Sequence, residues 1–158
     1  VNLLFVCTGN ICRSPLAEAI ARDALKRRER TDVIVGSAGT GAWDGAPASE
    51  GAYLVGLEHG LDLSGHRARL LTRELVQGAD LILTMARHHR ARVHELGGDG
   101  RTFVLGEYAG LSGEEAEVSD PFGGDIEIYR TTYSQLDGLV RDALARVLAE
   151  HREPDHRE

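Results

Sequence analysis

The sequence predicts an α/β domain built on a parallel sheet, and three observations carry that prediction. Leu3-Leu4-Phe5-Val6 is a continuous apolar run rather than an alternating one, as expected of a strand buried on both faces. Short β-rich runs then alternate with helical patterns along the chain, the order that yields a parallel sheet covered by helices. Near the C-terminus, Tyr129, Tyr133, Leu136, Val140, Ala143 and Val147 recur at helical spacing and form the buried stripe of a closing helix.

Taken in order, the first strand runs into Cys7-Thr8-Gly9-Asn10-Ile11-Cys12-Arg13, after which Ser14-Pro15 opens a helix to about Arg28. Ser14 suits the N-cap and Pro15 the first helical position. Further strands are expected at Val33–Val35, Leu81–Leu83 and Phe103–Leu105, with helices near Ala48–His59, Leu71–Val76 and His88–Leu96. With 158 residues the chain has room for one well-cored domain, placed at 1–150 and followed by a flexible charged tail, 151–158.

Aromatic residues are only 5%, so the core must be built from Leu, Val, Ala and Ile. A net charge of −7 argues against a non-specific hold on nucleic acid or anionic lipid. No apolar run approaches the ~20 residues of a membrane span. The apolar start at Leu3–Val6 is too short for a signal-peptide core and has no basic leader, so a cytoplasmic protein is expected. Cys7 and Cys12 are too few for a disulfide scaffold or a zinc site; in a reducing compartment such a pair is catalytic or redox-active. His88, His89 and His94 sit among Arg87, Arg90, Arg92 and Glu95 and read as a solvated helix face, so neither metal nor cofactor is expected.

The segment from Cys7 to Ser14 carries the chemistry. It places a thiol at the end of a central strand and an arginine at the mouth of the following helix, where open α/β sheets bind ligands. Amides of a short loop and a helix N-terminus attract an oxyanion, and Gly9 and Asn10 are the residues best able to take the positive φ such a loop needs. Helix terminus and guanidinium both favour the thiolate of Cys7, the nucleophilic form. Arg13 can return to face the sulfur and bind two phosphate oxygens through its planar fork.

The run Val6 to Pro15 resembles the active-site signature of the low-molecular-weight protein tyrosine phosphatases. Ser37-Ala38-Gly39-Thr40 resembles their second loop and Asp120-Pro121-Phe122-Gly123-Gly124 their acid loop, so the likeness covers nearly the whole chain. The resemblance implies a four-stranded parallel sheet in one three-layer domain and a two-step, metal-free reaction. Cys7 attacks phosphorus, Asp120 acts as general acid and then base, and Thr8 to Ser14 hold the phosphate. It also implies that Ser14 bonds the sulfur, that Asn10, Ser37 and His66 brace the loop, and that Trp43 and Phe122 wall the cleft. Cys12 either packs behind the loop or traps oxidised Cys7 as a disulfide. The implied partner is a phosphorylated protein, met by a monomer or weak dimer.

Substrate is the open question. The stretch Asp120 to Tyr129 is most like the bacterial branch that includes protein-arginine phosphatases, which carries threonine where this chain has Ile11. An apolar branched side chain favours a phenol and offers nothing to a guanidinium, so phosphotyrosine is expected ahead of phosphoarginine. An arsenate reductase relaying through thioredoxin needs cysteines beyond Cys12, and the chain has none, although a coupling through a small thiol remains open. Sugar-transport phosphocarriers lack the clamp arginine and the distant acid, and a pseudophosphatase would not keep nucleophile, clamp and acid together.

Overall fold

The computed structural model describes residues 1–151. Strand β1 (Asn2–Cys7) lies inside a four-stranded parallel sheet of order β2-β1-β3-β4, where β2 is Ile34–Gly39, β3 Leu81–Thr84 and β4 Thr102–Val104. Successive β1 side chains divide between two cores: Leu3, Phe5 and Cys7 enter one, Leu4 and Val6 the other. Neither face of the strand meets water, which is why its sequence does not alternate. The first core is closed by α1 (Arg13–Arg27), α2 (Glu50–Glu58), α5 (Leu105–Tyr108) and α6 (Ile126–Glu150), the second by α3 (Arg73–Gly78) and α4 (Arg87–Glu95). The predicted stripe of α6 is buried at all of its named positions.

Several element boundaries differ from expectation, each for a local reason. Helix α1 starts at Arg13 with Cys12 as N-cap and no side-chain cap bond, so Ser14 is not the cap. Its hydroxyl is engaged by the preceding loop instead. Pro15 falls third in the helix, where its missing N–H is still one of the four without an intrahelical acceptor. The helix ends at Arg27, one residue early. Strand β2 begins at Ile34 rather than Val33 and extends to Gly39, because Gly36 to Gly39 pair with Leu4 to Cys7; glycine and serine disguise a strand to a propensity reading.

Ser49 accepts from the Ala52 amide and Thr72 from the Leu75 amide, so α2 and α3 begin after these caps, not at Ala48 and Leu71. Helix α3 runs on to Gly78, two residues beyond Val76, and α2 ends at Glu58. Helix α4 spans Arg87–Glu95, one residue earlier at each end than expected, and Leu105 opens α5 instead of ending β4, which starts at Thr102. His151, the first residue of the expected tail, donates its amide to the Val147 carbonyl, and its own carbonyl accepts from Arg30. The rest of that tail, 152–158, lies outside the described residues. No helix among the described residues is long and apolar enough to cross a membrane.

Candidate active site

From β1 the chain passes to β2 on one side, and β3 then adds on the other, so the segments leaving β1 and β3 diverge and open a crevice at the strand ends. The Cys7–Arg13 loop occupies it. Asn10 takes φ 55°, whereas Gly9 is not among the residues of positive φ, so Asn10 alone makes the left-handed step. Glycine is required at Gly39 instead, where a Cβ would lie 2.4 Å from the Thr8 carbonyl oxygen. The end of β2 thus presses on the loop, and the Thr40 and Gly41 amides donate to the Cys7 and Thr8 carbonyls at 2.9 Å each.

Asn10 is fully buried and spends every polar atom of its side chain. Nδ2 donates to Ser14 Oγ (2.8 Å) and Ser37 Oγ (2.9 Å), while Oδ1 accepts from the Arg69 amide (3.0 Å). Its carbonyl accepts from His66 Nε2 at 2.6 Å, which places the proton on that ring nitrogen. Ser14 Oγ, accepting from Asn10, lies 2.9 Å from Cys7 Sγ, where its proton can be donated to a thiolate. Ser37 turns its proton to Glu18 Oε1 at 2.6 Å, and Arg22 holds the other Glu18 oxygen at 2.7 Å. A chain of oriented dipoles therefore runs from a carboxylate on α1 to the sulfur. Glu18 lies off the apolar stripe of its helix, and no sequence signal pointed to it.

Replacing Asn10 with alanine strips its three side-chain bonds and places a residue without a side-chain amide at positive φ. With about 1 kcal/mol per hydrogen bond and about 1–2 kcal/mol for the left-handed step, Asn10→Ala is expected to lose roughly 3 kcal/mol or more of stability. A fall in the urea midpoint at unchanged slope measures it; a loss under about 1 kcal/mol would show that the network relaxes freely.

Arg13 is buried and joins the loop to the acid segment. Nη1 donates to the Val118 carbonyl at 2.9 Å, Nη2 approaches Thr8 Oγ1 at 3.5 Å and Asp120 Oδ2 at 3.8 Å, and Nε has no acceptor among the described residues. A buried guanidinium N–H without a partner is costly, and Nε with Nη2 forms the edge that matches two oxygens of a phosphate. The acid segment is rooted independently: the Val118 amide donates to the Met85 carbonyl, and Glu117 accepts from the Arg87 amide and, through its carbonyl, from Gln135. Asp120 Oδ1 accepts from the Phe122 amide at 3.0 Å, a turn that leaves the carboxyl half-exposed beside Arg13.

The remaining predicted residues fall as follows. Cys12 is buried behind the loop between Ser49 Oγ (3.1 Å) and the Tyr129 hydroxyl (3.4 Å); burial pushes its thiol up, and both cysteines are free. Ile11 is half-buried against the core. Trp43 and Phe122 are 84% and 66% exposed, so neither ring is part of the core. His89 does not lie on the solvated face expected of it: it is fully buried, accepting the Ala86 amide on Nδ1 (3.1 Å) and meeting Thr8 Oγ1 with Nε2 (2.8 Å). Burial, with His88 and Arg13 nearby, holds it at about 3. A signal was available: Val93 on α4 and Leu96, its C-cap, both enter the second core, and a step of four residues back from Val93 reaches His89. Among the described residues no group of His, Cys, Asp and Glu is placed to hold a metal ion.

A thiol at a strand end, oriented by a serine and followed by a buried arginine with one open fork beside a carboxyl, belongs to the class of cysteine-dependent phosphoryl-transfer enzymes. Comparison with known proteins narrows the class: residues 2–153 match the model of the low molecular weight phosphotyrosine protein phosphatases, and the chain belongs to that family. It is 39% identical over 154 residues to the protein-arginine-phosphatase of Bacillus subtilis, covering 96% of this chain and 99% of the relative. It is also 39% identical over 141 residues to the low molecular weight protein-tyrosine-phosphatase PtpB of Staphylococcus haemolyticus, covering 89% and 95%. The crystal structure of a low molecular weight protein tyrosine phosphatase from T. tengcongensis superposes with a TM-score of 0.85 at 39% identity, over 92% of this chain and 99% of that one.

Proposed function

We propose that this chain is a protein phosphatase that hydrolyses phosphotyrosine through a cysteinyl phosphate. The observation that carries the phosphatase reading is the Arg13 guanidinium: Nη1 is committed to Val118, and Nε is buried without an acceptor in the loop that begins at Cys7. In the first step the Cys7 sulfur forms a bond to phosphorus as the ester bond breaks, and Asp120 gives its proton to the leaving oxygen. In the second, water attacks phosphorus, its proton goes to Asp120, and Cys7 departs as thiolate. The Ser14 hydroxyl stabilises that thiolate at both ends of the cycle. Asn10, Ser37 and His66 hold the loop in shape, and its amides with the Arg13 fork stabilise the equatorial oxygens. In a redox role, the Cys12 thiol would condense with a Cys7 sulfenic acid, releasing water and leaving a disulfide.

The choice of tyrosine rests on Ile11 and on the two exposed rings, Trp43 and Phe122. Ile11 leans over the loop, its Cγ1 3.5 Å from where a Cβ on Gly9 would stand. Phosphoarginine is the second reading, and the likeness to the Bacillus subtilis enzyme, which spans nearly all of both chains, favours it. Measuring kcat/KM on phosphotyrosine and phosphoarginine peptides decides between them. The wild type is expected to prefer phosphotyrosine by about tenfold or more, roughly 1.4 kcal/mol, and Ile11→Thr to narrow that ratio. Faster turnover of phosphoarginine by the wild type would establish the second reading.

A further inference from the structure

The site contains one hydrogen-bonded pair that the two-step scheme leaves without a task, Thr8 with His89. Thr8 is the residue after the nucleophile, exposed at the cleft, whereas His89 comes from α4 and is wholly enclosed. The imidazole has a single tautomer available. Nδ1 accepts the Ala86 amide at 3.1 Å, so the ring proton sits on Nε2 and is donated to Thr8 Oγ1 at 2.8 Å. Burial keeps the ring neutral around neutral pH, so this arrangement does not switch there. On its other side Thr8 Oγ1 faces Arg13 Nη2 at 3.5 Å. A hydroxyl flanked by two donors turns its own proton away from both.

Arg13 Nη2 also faces Asp120 Oδ2 at 3.8 Å, so the Thr8 hydroxyl and the acid flank one nitrogen of the guanidinium that holds the phosphate in the reading above. In that reading the water of the second step enters beside Asp120. A water bound there gives one proton to Asp120 and needs one lone pair aimed at phosphorus; a donor on its second lone pair completes the orientation.

We infer that Thr8 is a further catalytic residue, donating its hydroxyl proton to the attacking water, and that His89 is the positioning residue that aims it. The inference rests on the cysteinyl-phosphate reading above. As water oxygen bonds to phosphorus, the S–P bond breaks, Asp120 takes the proton and Cys7 leaves as thiolate; Thr8 keeps its own proton throughout.

The test is stopped-flow hydrolysis of p-nitrophenyl phosphate, in which the burst reports phosphorylation of Cys7 and the steady state reports hydrolysis of the intermediate. Thr8→Val is expected to lower the steady-state rate about tenfold, one hydrogen bond's worth, with the burst rate held within about twofold. Thr8→Ser recovers the loss. His89→Asn keeps an acceptor for the Ala86 amide but loses the donor to Thr8, and is expected to reproduce Thr8→Val; His89→Gln, which returns a donor near the position of Nε2, recovers. Combining Thr8→Val with His89→Asn adds no further loss. Equal falls in burst and steady state, an unchanged steady state in Thr8→Val, or no recovery in Thr8→Ser would overturn the inference. Should His89→Asn fail to fold, the loss seen in Thr8→Val, reproduced in a folded His89→Gln, overturns the part assigned to His89. A wild type that shows neither burst nor turnover refutes the phosphatase reading itself, an outcome distinct from all of these.

Discussion

Cys7→Ser is expected to abolish turnover, by at least about 10⁴-fold, while leaving the fold and the anion cradle intact. In the proposed mechanism the cradle consists of loop amides, the N-terminus of α1 and the Arg13 fork, none of which uses the sulfur. Binding of inorganic phosphate, followed by calorimetry, should therefore stay within a few-fold of the wild type. The chemistry fails because a serine hydroxyl remains protonated at neutral pH and is a far weaker nucleophile than a cysteine sulfur. A serine that did capture phosphate would release it poorly, since an alkoxide is a far worse leaving group than a thiolate. Steady-state hydrolysis of phosphotyrosine peptide measures the loss, and intact-protein mass spectrometry detects any trapped ester. Turnover surviving in Cys7→Ser would reject the mechanism.

Asp120→Ala is expected to lower kcat by about 10²–10⁴-fold on a phosphotyrosine peptide, the usual contribution of a general acid, with phosphate binding spared. The loss should shrink on p-nitrophenyl phosphate, whose leaving group departs without a proton. Alanine also removes the turn bond to the Phe122 amide and the carboxylate beside Arg13, so a second variant is needed. Asp120→Asn keeps an acceptor for that amide but has no proton to give. Equal losses in Asp120→Ala and Asp120→Asn assign the effect to proton transfer. Recovery in Asp120→Asn would assign it to the turn.

The two predictions differ in how their residues became visible. Cys7, Arg13 and Ser14 lie on one strand, loop and helix, a few residues apart, and their chemistry follows from local geometry. Asp120 is more than a hundred positions away from Cys7, and no periodicity connects them. Its place beside Arg13 depends on Val118 bonding the Met85 carbonyl and on Arg13 reaching the Val118 carbonyl, contacts between segments that are distant in the chain. Family resemblance supplied what the spacing could not. Glu18 and His89 escaped even that, since a glutamate off the apolar stripe and a histidine among arginines both read as solvated.

Composition misled at His89 because burial is a property of a face rather than of a segment. Seven of the nine residues of α4 are Arg, His or Glu, yet its inward side reaches the second core. Likewise the glycine and serine of β2 concealed a strand whose extension to Gly39 is imposed by β1, not by its own propensity.

The α/β class, the doubly buried first strand, the closing helix and the nucleophile loop are legible in the chain because each is written in consecutive residues or in one period. Which carboxylate meets Arg13, that Ser37 links Asn10 to Glu18, and that His89 stands behind Thr8 emerge in three dimensions alone. Those relations are set by the register of strands and helices that meet only when both cores close.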